Sequence, residues 1–410
     1  MTDSCGPVAI TGMGVVSAVG SSVPDFFDNL VAGRSGVRRL PWRSDTVAAY
    51  VDFAAETHFP RLQLITLDRF AQFALVAAEQ AVKDAALTNA DLVGPRAGVY
   101  FGTGSGGALA IEAGYRGFLD PQGRVSPMTI PLTMSNAAAA HVSIRYRIQG
   151  PSLTYSIACA SAAVAIGEAF RAIRDGYLDI AIAGGAEAML TPGNLAGWSA
   201  MHVLATTDSA HPEQTCRPFA ADRSGLVLGE GAGVLVLESG DHAKRRGKTP
   251  LAEIAGYGVA ADATNLVKPD AQGQAAAMRS ALADASMESS AVGYINAHGT
   301  GTPAGDIVET ESIREAFGAA SDQIAVSSTK ALHGHLLGAS GAVELIAAVM
   351  ALRTGTIPPT CHLAVADPRC NLDFVPNAAR HGVRLQAVMS NSFAFGGTNA
   401  VLIARSASMA

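Results

Sequence analysis

Residues 155–167 read YSIACASAAVAIG, a short β-type run that passes directly into a series of small helix-forming residues. Cys159 lies where the two patterns meet. The N-terminus of a helix carries about half a positive charge and unpaired N–H groups, which favour a thiolate and can hold an oxyanion beside it. The alternative is a buried cysteine that acts as a small apolar residue in an alanine-rich helix. This stretch alone leaves both interpretations open.

The composition of the chain indicates a large buried interior. Its 410 residues are too many for one small core, so two domains or one duplicated unit are expected. Charged residues make up 16% of the sequence, against about 25% in typical soluble proteins, which indicates thick internal layers, a large subunit interface or both. A homodimer is therefore the default expectation. The net charge of −6 argues against a nucleic-acid partner.

The sequence favours a reducing cytoplasm as the location, with no membrane association. Residues 1–14 lack a basic region followed by an apolar stretch, so no secretory signal is expected. No apolar run reaches the roughly 18 residues of a membrane span; the best one, at 342–352, is interrupted by Glu344. The cysteines are odd in number and have neither disulfide-type nor metal-type spacing: Cys5, Cys159, Cys216, Cys361 and Cys370.

Strand and helix patterns alternate along the whole chain, which is typical of layered α/β proteins. The apolar strands lack a two-residue alternation and are therefore expected to be covered on both faces. A basic cluster at 244–248 is interpreted as the solvated end of a helix, and it marks the predicted boundary between halves 1–248 and 249–410. The predicted strands cover 8–12, 97–101, 153–157, 178–185, 294–297, 324–328, 388–390 and 400–403, with a pair of strands in 225–237; predicted helices include 70–84, 274–285 and 338–352.

Three further stretches combine a strand end with a polar, glycine-rich loop, and such loops carry functional sites more often than cores do. They read NAHGTGTPAGD at 296–306, SSTKALHGHLLG at 327–338 and SNSFAFGGTN at 390–399. A single histidine in a protein of this size is usually structural, but these loops favour a functional role for theirs. The glycine-rich turn at 12–20 departs from G-x-G-x-x-G, so no dinucleotide cofactor is expected.

Four ordered motifs resemble those of the β-ketoacyl-acyl-carrier-protein synthases, the elongating type II members of the thiolase-fold condensing enzymes. They are ACASA around Cys159, NAHGTGT around His298, KALHGHLLGASG from Lys330 and NSFAFGGTN from Asn391. The likeness covers nearly the whole length of the chain. It implies an α/β, thiolase-like fold of two duplicated βαβ-type halves in α-β-α-β-α layers, with no bound cofactor or metal.

The resemblance implies Cys159 as the acyl-accepting nucleophile, with His298 and His335 as the catalytic pair. An acyl chain would pass from the phosphopantetheine arm of a carrier protein, or from coenzyme A, to the cysteine sulfur. Decarboxylation of a malonyl thioester would leave an enolate, whose oxygen two imidazole N–H groups can stabilise without a metal. The enolate carbon would then attack the acyl thioester. The spacing of the motif favours His335 over His333.

Other positions take supporting roles by the same resemblance. Lys330 corresponds to a buried lysine that orders the histidine environment, and Glu344 to its partner on the following helix. Asp306 corresponds to a carboxylate behind the site. Thr300 and Thr302 correspond to the residues that hold the amides of the pantetheine arm.

The sequence departs from the family pattern at the gate and in the acyl pocket. The gating loop, usually Phe-Gly-Phe, reads Phe393-Ala394-Phe395, and alanine tolerates positive φ less well than glycine, which predicts altered opening. By resemblance, the backbone N–H of Phe395 and that of the nucleophile would hold an oxyanion. Ser105 stands where relatives often carry a bulkier residue of the acyl pocket, and Trp198 is expected lower in that pocket. A pocket re-shaped for a long, unsaturated or polyketide-like chain is the hypothesis.

The expected partners are an acyl carrier protein with its acyl and malonyl thioesters, and a second subunit that is either this chain or a related ketosynthase. Carrier proteins are acidic, so docking needs a local positive patch. Relatives carry a basic cluster after residue 60, whereas here Arg61 and Arg69 stand nearly alone. Arg116 and Arg124 are candidates to complete the patch.

Two other functions remain open. A chain-length-factor subunit, which shapes the pocket of a heterodimer, typically lacks the nucleophilic cysteine, so Cys159 with His298 and His335 counts against it. A Cys-His thioester hydrolase would release the acyl group as a free acid. The acyl chain, and the choice between fatty-acid and polyketide or polyene synthesis, are not determined by the sequence.

Overall fold

The computed structural model describes residues 6–407. The strands are β1 (Val8–Ser17), β2 (Arg38–Leu40), β3 (Arg43–Ala48), β4 (Ala97–Gly102), β5 (Ser152–Tyr155), β6 (Ile180–Glu187), β7 (Gly231–Ser239), β8 (Ala252–Ala261), β9 (Val292–Asn296), β10 (Ala325–Ser327), β11 (Ala387–Phe393) and β12 (Thr398–Arg405). The helices are α1 (Val23–Val31), α2 (Arg61–Leu64), α3 (Arg69–Asp84), α4 (Asn89–Leu92), α5 (Ala108–Leu119), α6 (Thr129–Thr133), α7 (Ala137–Tyr146), α8 (Ser161–Arg174), α9 (Pro192–Ala200), α10 (Gly240–Arg245), α11 (Ala271–Asp284), α12 (Gly305–Phe317), α13 (Lys330–His333) and α14 (Ser340–Thr354).

The main sheet repeats one strand order in its two halves. Along the sheet the order is β10-β9-β11-β12-β8-β1-β7-β6-β4-β5, so each half places its strands in the same succession from its outer edge to the centre. The outer strands are parallel: β4 pairs this way with β5 and β6, and β9 with β10 and β11. The halves meet where β1 pairs with β8 over residues 8–10 and 252–254. This repetition matches the duplicated halves that the resemblance implies.

Helices lie on both faces of the strands. On one side, α3 packs against β1, β6 and β7, and α11 packs against β8, β12 and α12. On the other side, α8 packs against β4 and β6, α14 packs against β7 and β11, and these two helices contact each other. The strands of the two halves form two layers, with α8 and α14 between them and α3 and α11 outside. This is the α-β-α-β-α arrangement. Every residue of β6 is buried, which explains why the strand patterns do not alternate.

The helical segment that includes α14 is unusually apolar. Leu337–Thr354 spans 18 residues and is long and apolar enough to cross a membrane by length and composition, which corrects the expectation that no run reaches this length. However, 83% of this segment is buried inside the protein. A core helix passes the same test of length and composition, and this degree of burial identifies one.

Most predicted elements are present, but the prediction of two strands within 225–237 was wrong. Only β7 is a strand there, and Leu228 instead forms an isolated bridge with His335. The basic cluster ends α10, as expected, and Arg246 bonds back to Glu238. The predicted boundary at residue 248 falls between α10 and β8 and stays a prediction. Four cysteines are free thiols within the described residues, and Cys5 lies outside them.

Candidate active site

Cys159 lies in a strained turn between β5 and α8. The turn Ala158–Ala160 is a single 3-10 turn, and Ala158 has a φ of 42°, a left-handed conformation that costs a non-glycine residue about 1 kcal/mol or more. The Ser161 hydroxyl stabilises the turn: it accepts from the Ile157 N–H at 2.8 Å and donates to the Ala158 carbonyl at 2.7 Å. Backbone strain of this kind is concentrated at functional sites.

The Cys159 thiol is buried between His335 and the gating loop. Its Sγ lies 3.0 Å from Nε2 of His335, and the backbone N–H of Phe395 hydrogen-bonds to the same sulfur. Burial raises the pKa of Cys159 to about 12, although the charge of Lys330 and the Phe395 N–H lower it. Burial therefore opposes the thiolate that the helix N-terminus was expected to favour, and at this pKa the resting group is a thiol.

The two predicted catalytic histidines meet at this sulfur. The rings of His298 and His335 have centroids 5.2 Å apart and planes at 84°, and one nitrogen of each lies within 4.8 Å of the other and of Cys159 Sγ. Burial, followed by the charge of Lys330, lowers the pKa of both imidazoles well below 6.5. Both rings are therefore neutral at neutral pH, and each carries one N–H donor. The same three atoms are also a possible set of metal ligands.

Ser340 contacts a catalytic candidate, His335, and sequence reasoning missed it. Its Oγ lies 2.9 Å from Nδ1 of His335. A hydroxyl that donates to Nδ1 places the ring proton on Nε2, the nitrogen that faces Cys159. Ser340 belongs to the quoted KALHGHLLGASG motif, but only the fold turns its side chain back to the histidine. His333 is instead held by other partners, 2.7 and 2.9 Å from its two ring nitrogens.

A buried ion pair stands behind the histidines. Lys330 opens α13 and contacts the carboxylate of Glu344 on α14, and both side chains are fully buried. Burial raises the pKa of Glu344, and the charge of Lys330 lowers it. The lysine charge is the next largest cause, after burial, of the low pKa values of His298 and His335. The lysine charge therefore adds to burial in keeping both imidazoles neutral.

Two buried carboxylates of α12 hold the loop that carries His298. Glu309 accepts the N–H groups of His298 at 2.8 Å and of Gly299 at 2.7 Å, and Asp306 accepts that of Gly301 at 3.0 Å. Burial raises the pKa of Asp306 to about 7. Sequence reasoning named Asp306 and missed Glu309. The spacing of three residues, which places both on one face of a helix, was the available signal.

A cavity of about 270 Å³ opens onto Cys159, His298 and His335. The hydroxyls of Thr300 and Thr302, 3.1 Å apart, lie on its wall. Other predicted site residues on this wall are Trp198, Asp306, Phe393 and Phe395. The cavity therefore joins the nucleophile, both histidines and both threonines.

Of the two predicted acyl-pocket residues, only Trp198 lines the catalytic cavity. Its ring stacks on that of Phe395, with centroids 6.1 Å apart and planes at 23°. Ser105 is not among the lining residues, and its backbone N–H donates to Glu187 at 3.1 Å. In the single chain Ser105 therefore stands behind the wall of this cavity.

The gating loop carries its positive φ angles beyond Ala394. They occur at Gly396 (91°) and Gly397 (76°), whereas Ala394 avoids this region and is unstrained in this conformation. The loop is tied to a neighbouring segment, because Gly396 N–H donates to the Leu266 carbonyl at 2.7 Å and Asp262 N–H to that of Gly397 at 2.8 Å. Altered opening of the gate stays a prediction.

Comparison with known families agrees with this geometry. The family described as "Beta-ketoacyl synthase, N-terminal domain" matches residues 6–243, and "Beta-ketoacyl synthase, C-terminal domain" matches residues 251–364. The chain belongs to the β-ketoacyl synthase family. It is an elongating ketosynthase, a condensing acyltransferase of fatty-acid or polyketide synthesis, and its fold is thiolase-like.

Individual relatives cover almost the whole ketosynthase chain. It is 43% identical over 404 residues to nodulation protein E of Rhizobium sp. (strain N33), covering 97% of this chain and 98% of that protein. It is 40% identical over 406 residues to 3-oxoacyl-[acyl-carrier-protein] synthase 2 of Staphylococcus aureus (strain N315), covering 97% of each. The solved ishigamide ketosynthase/chain length factor matches with a TM-score of 0.91 and 35% identity, over 98% of this chain and 99% of that one. The family inferred from the motifs is confirmed.

Proposed function

We propose that this ketosynthase holds an acyl chain on Cys159 and extends it by two carbons, using a malonyl group carried by an acyl carrier protein. The observation that carries the proposal is the convergence of Cys159 Sγ with two neutral imidazoles, those of His298 and His335, in one cavity. A cysteine alone would suit many reactions. Two neutral N–H donors beside it suit the stabilisation of an enolate.

The first step transfers the acyl group to the cysteine. Sγ of Cys159 attacks the thioester carbonyl, the bond to the pantetheine sulfur breaks, and the cysteine proton leaves with the pantetheine as its free thiol. His335 Nε2–H and the Phe395 N–H both point at the sulfur and stabilise the negative charge that develops there as the proton leaves. This assistance is needed because the thiol pKa is about 12.

The second step joins the two substrates. The malonyl thioester loses carbon dioxide, the bonding pair moves into an enolate, and the N–H groups of His298 and His335 donate to the enolate oxygen. The enolate carbon then bonds to the acyl carbon on Cys159, the carbon–sulfur bond breaks, and the thiolate that leaves takes a proton from solvent water. Lys330 supports this step by holding both imidazoles in the neutral form, and Thr300 with Thr302 binds the pantetheine amides.

The carrier protein would dock on a sparse positive surface. Arg69 is engaged with Glu230 at 2.6 Å and Arg116 with its own helix neighbour at 2.6 Å. Arg61 and Arg124 are exposed, and neither makes an ion pair within residues 6–407. We infer that these two arginines contribute to the steering of an acidic carrier protein.

We also infer a dimer formed through the outer edge of β5. This strand ends the sheet, and an unpaired strand edge invites pairing with another chain. The same half of the chain exposes large apolar side chains, among them Tyr115 at 67%, Phe118 at 74% and Leu119 at 74%. Apolar groups exposed to this degree favour a subunit interface. Sedimentation of the purified protein as a monomer at micromolar concentration would contradict this.

One assay separates the proposal from its alternatives. The protein is incubated with acyl-carrier protein and malonyl-carrier protein, and both enzyme and carrier are followed by intact mass spectrometry. We expect an acyl adduct on the wild type, no adduct on Cys159→Ala, and a β-ketoacyl carrier product longer by two carbons. Release of free acid would instead indicate a hydrolase, and the absence of any adduct a non-elongating partner subunit.

A further inference from the structure

Glu187, the last residue of β6, is a buried carboxylate with an unusual set of partners. Its side chain is fully buried, and no lysine, arginine or histidine nitrogen lies within 4.0 Å of it in residues 6–407. It accepts instead the backbone N–H groups of Gly104 at 2.7 Å, Ser105 at 3.1 Å and Gly338 at 3.0 Å. The Thr103 hydroxyl is 3.4 Å away. All four partners donate to the carboxylate, and these hydrogen bonds oppose the burial that raises the pKa of Glu187 to about 7.

These donors belong to two loops that the catalytic geometry depends on. One loop, 103–107, contains Ser105, the predicted acyl-pocket residue that stands behind the wall of the catalytic cavity, and is called the acyl-pocket loop after that prediction. The other follows His335, and its Leu337 has a φ of 43°, a strained value for a non-glycine residue. The loops touch directly: a Cβ built on Gly338 would lie 2.3 Å from the nitrogen of Gly104. The carboxylate therefore joins the two loops where Gly338 packs tightly against Gly104.

The same connection reaches the nucleophile. Ser161, whose hydroxyl supports the strained turn at Ala158, also lies 3.3 Å from the carbonyl of Thr103. A chain of hydrogen bonds thus runs from the cysteine turn through Thr103 to Glu187, and from there to the loop that carries His335. Cys159 lies at one end of this series of hydrogen bonds and His335 at the other, and their atoms Sγ and Nε2 are 3.0 Å apart.

We propose that Glu187 is a positioning residue that holds the acyl-pocket loop and the His335 loop in one rigid body and so fixes the distance between Cys159 and His335. The inference rests on the proposed roles of those two residues in condensation. Glu187 does not line the cavity and touches no substrate; it acts through the loops it binds. A shift of about 1 Å between nucleophile and histidine can cost on the order of a hundredfold in rate.

Glutamine is not a neutral replacement at this position. Its amide would turn an N–H donor toward backbone donors that now share the carboxylate, so at least one loop must move away. Aspartate keeps the carboxyl group with both of its oxygens but is one methylene shorter. Glu187→Asp should therefore fall between the wild type and Glu187→Gln. If Glu187 only stabilised the fold, the wild type, Glu187→Asp and Glu187→Gln would have the same condensation rate per folded molecule.

Glu238 offers a matched control. It is equally buried and lies on β7, opposite Ile180, so that it stands at the far end of the strand pair from Glu187. It binds Thr11, His242 and Arg246, well outside the active site. Glu238→Gln should lower stability without changing catalysis per folded molecule.

The test combines hydrogen exchange with kinetics on the full-length protein. In Glu187→Gln, amides of 103–107 and 334–340 should both exchange on the order of tenfold faster or more, because the loops contact each other at Gly104 and Gly338 and a loop that moves away from the side chain removes support from the other. The kcat of condensation should fall on the order of a hundredfold, with KM for malonyl-carrier protein changed less than threefold. Glu187→Asp should give intermediate values, and it serves as the reporter where the glutamine variant does not fold.

Either of two results would overturn the inference. The first is faster exchange in one loop without the other in both Glu187 variants; the second is an unchanged kcat in both while Cys159→Ala still abolishes condensation. Hydrogen exchange shows whether Glu187 holds both loops even if the wild type makes no condensation product. A failure of the proposed function is therefore distinguished from a failure of this inference.

Discussion

Replacement of Lys330 by methionine tests how the buried ion pair controls the two histidines. Lys330→Met keeps most of the side-chain volume and removes a charge that has no access to solvent. Glu344 is then left as a buried carboxylate without its cation. Removing one partner of a buried pair costs about 3–5 kcal/mol of the free energy of unfolding. We expect a loss of this size in chemical denaturation at neutral pH.

The second effect of Lys330→Met is on the histidines themselves. In the wild type the lysine charge helps to lower the pKa of His298 and His335 below 6.5. Its removal should raise both pKa values, each unit corresponding to about 1.4 kcal/mol of differential interaction. NMR titration of labelled histidines in the folded protein measures this directly.

The direction of the pH effect on stability follows from the same shifts. As the pH falls through 6.5, His298 and His335 take up protons in the unfolded state but not in the folded state. Protonation therefore favours unfolding, so the free energy of unfolding is highest above pH 6.5 and decreases on acidification. Lys330→Met should narrow the pH range over which this stability is lost, because it brings the histidine pKa values of the folded state closer to 6.5. The double variant Lys330→Met/Glu344→Gln is the control, because it should recover most of the stability and keep the raised histidine pKa values. Unchanged histidine pKa values in both variants would refute the reasoning.

Three further outcomes are expected. Ser340→Ala should lower kcat of condensation by on the order of tenfold or more, because Nδ1 of His335 loses the partner that sets its tautomer; a rate equal to wild type in single-turnover mass spectrometry would contradict this. Trp198→Ala should remove a ring contact worth about 0.5–1.5 kcal/mol and shift products toward longer chains, a proposal that an unchanged product profile would exclude. Association with carrier protein should weaken as salt screens Arg61 and Arg124, and a flat salt response by surface plasmon resonance would count against steering by these arginines.

Much of the fold was predictable because its signals are local. The apolar runs of β4, β6 and β9 are recognisable without knowledge of their neighbours, and so is the apolar pattern of α3. The prediction of two strands in 225–237 was wrong because residues 225–230 have a strand-like composition but pair only through isolated bridges. Whether an extended segment joins a sheet depends on which backbone lies beside it, and a single sequence does not contain that information.

The sequence by itself determined the chemistry that is available: a cysteine at a strand-to-helix turn, two histidines in glycine-rich loops, and a lysine and a glutamate able to pair. The tertiary structure decided how these groups behave. Burial in the centre of a layered fold raises the pKa of the Cys159 thiol and lowers the pKa values of His298 and His335. The physical reason is that dipole and spacing act within one segment, whereas desolvation depends on everything packed around it.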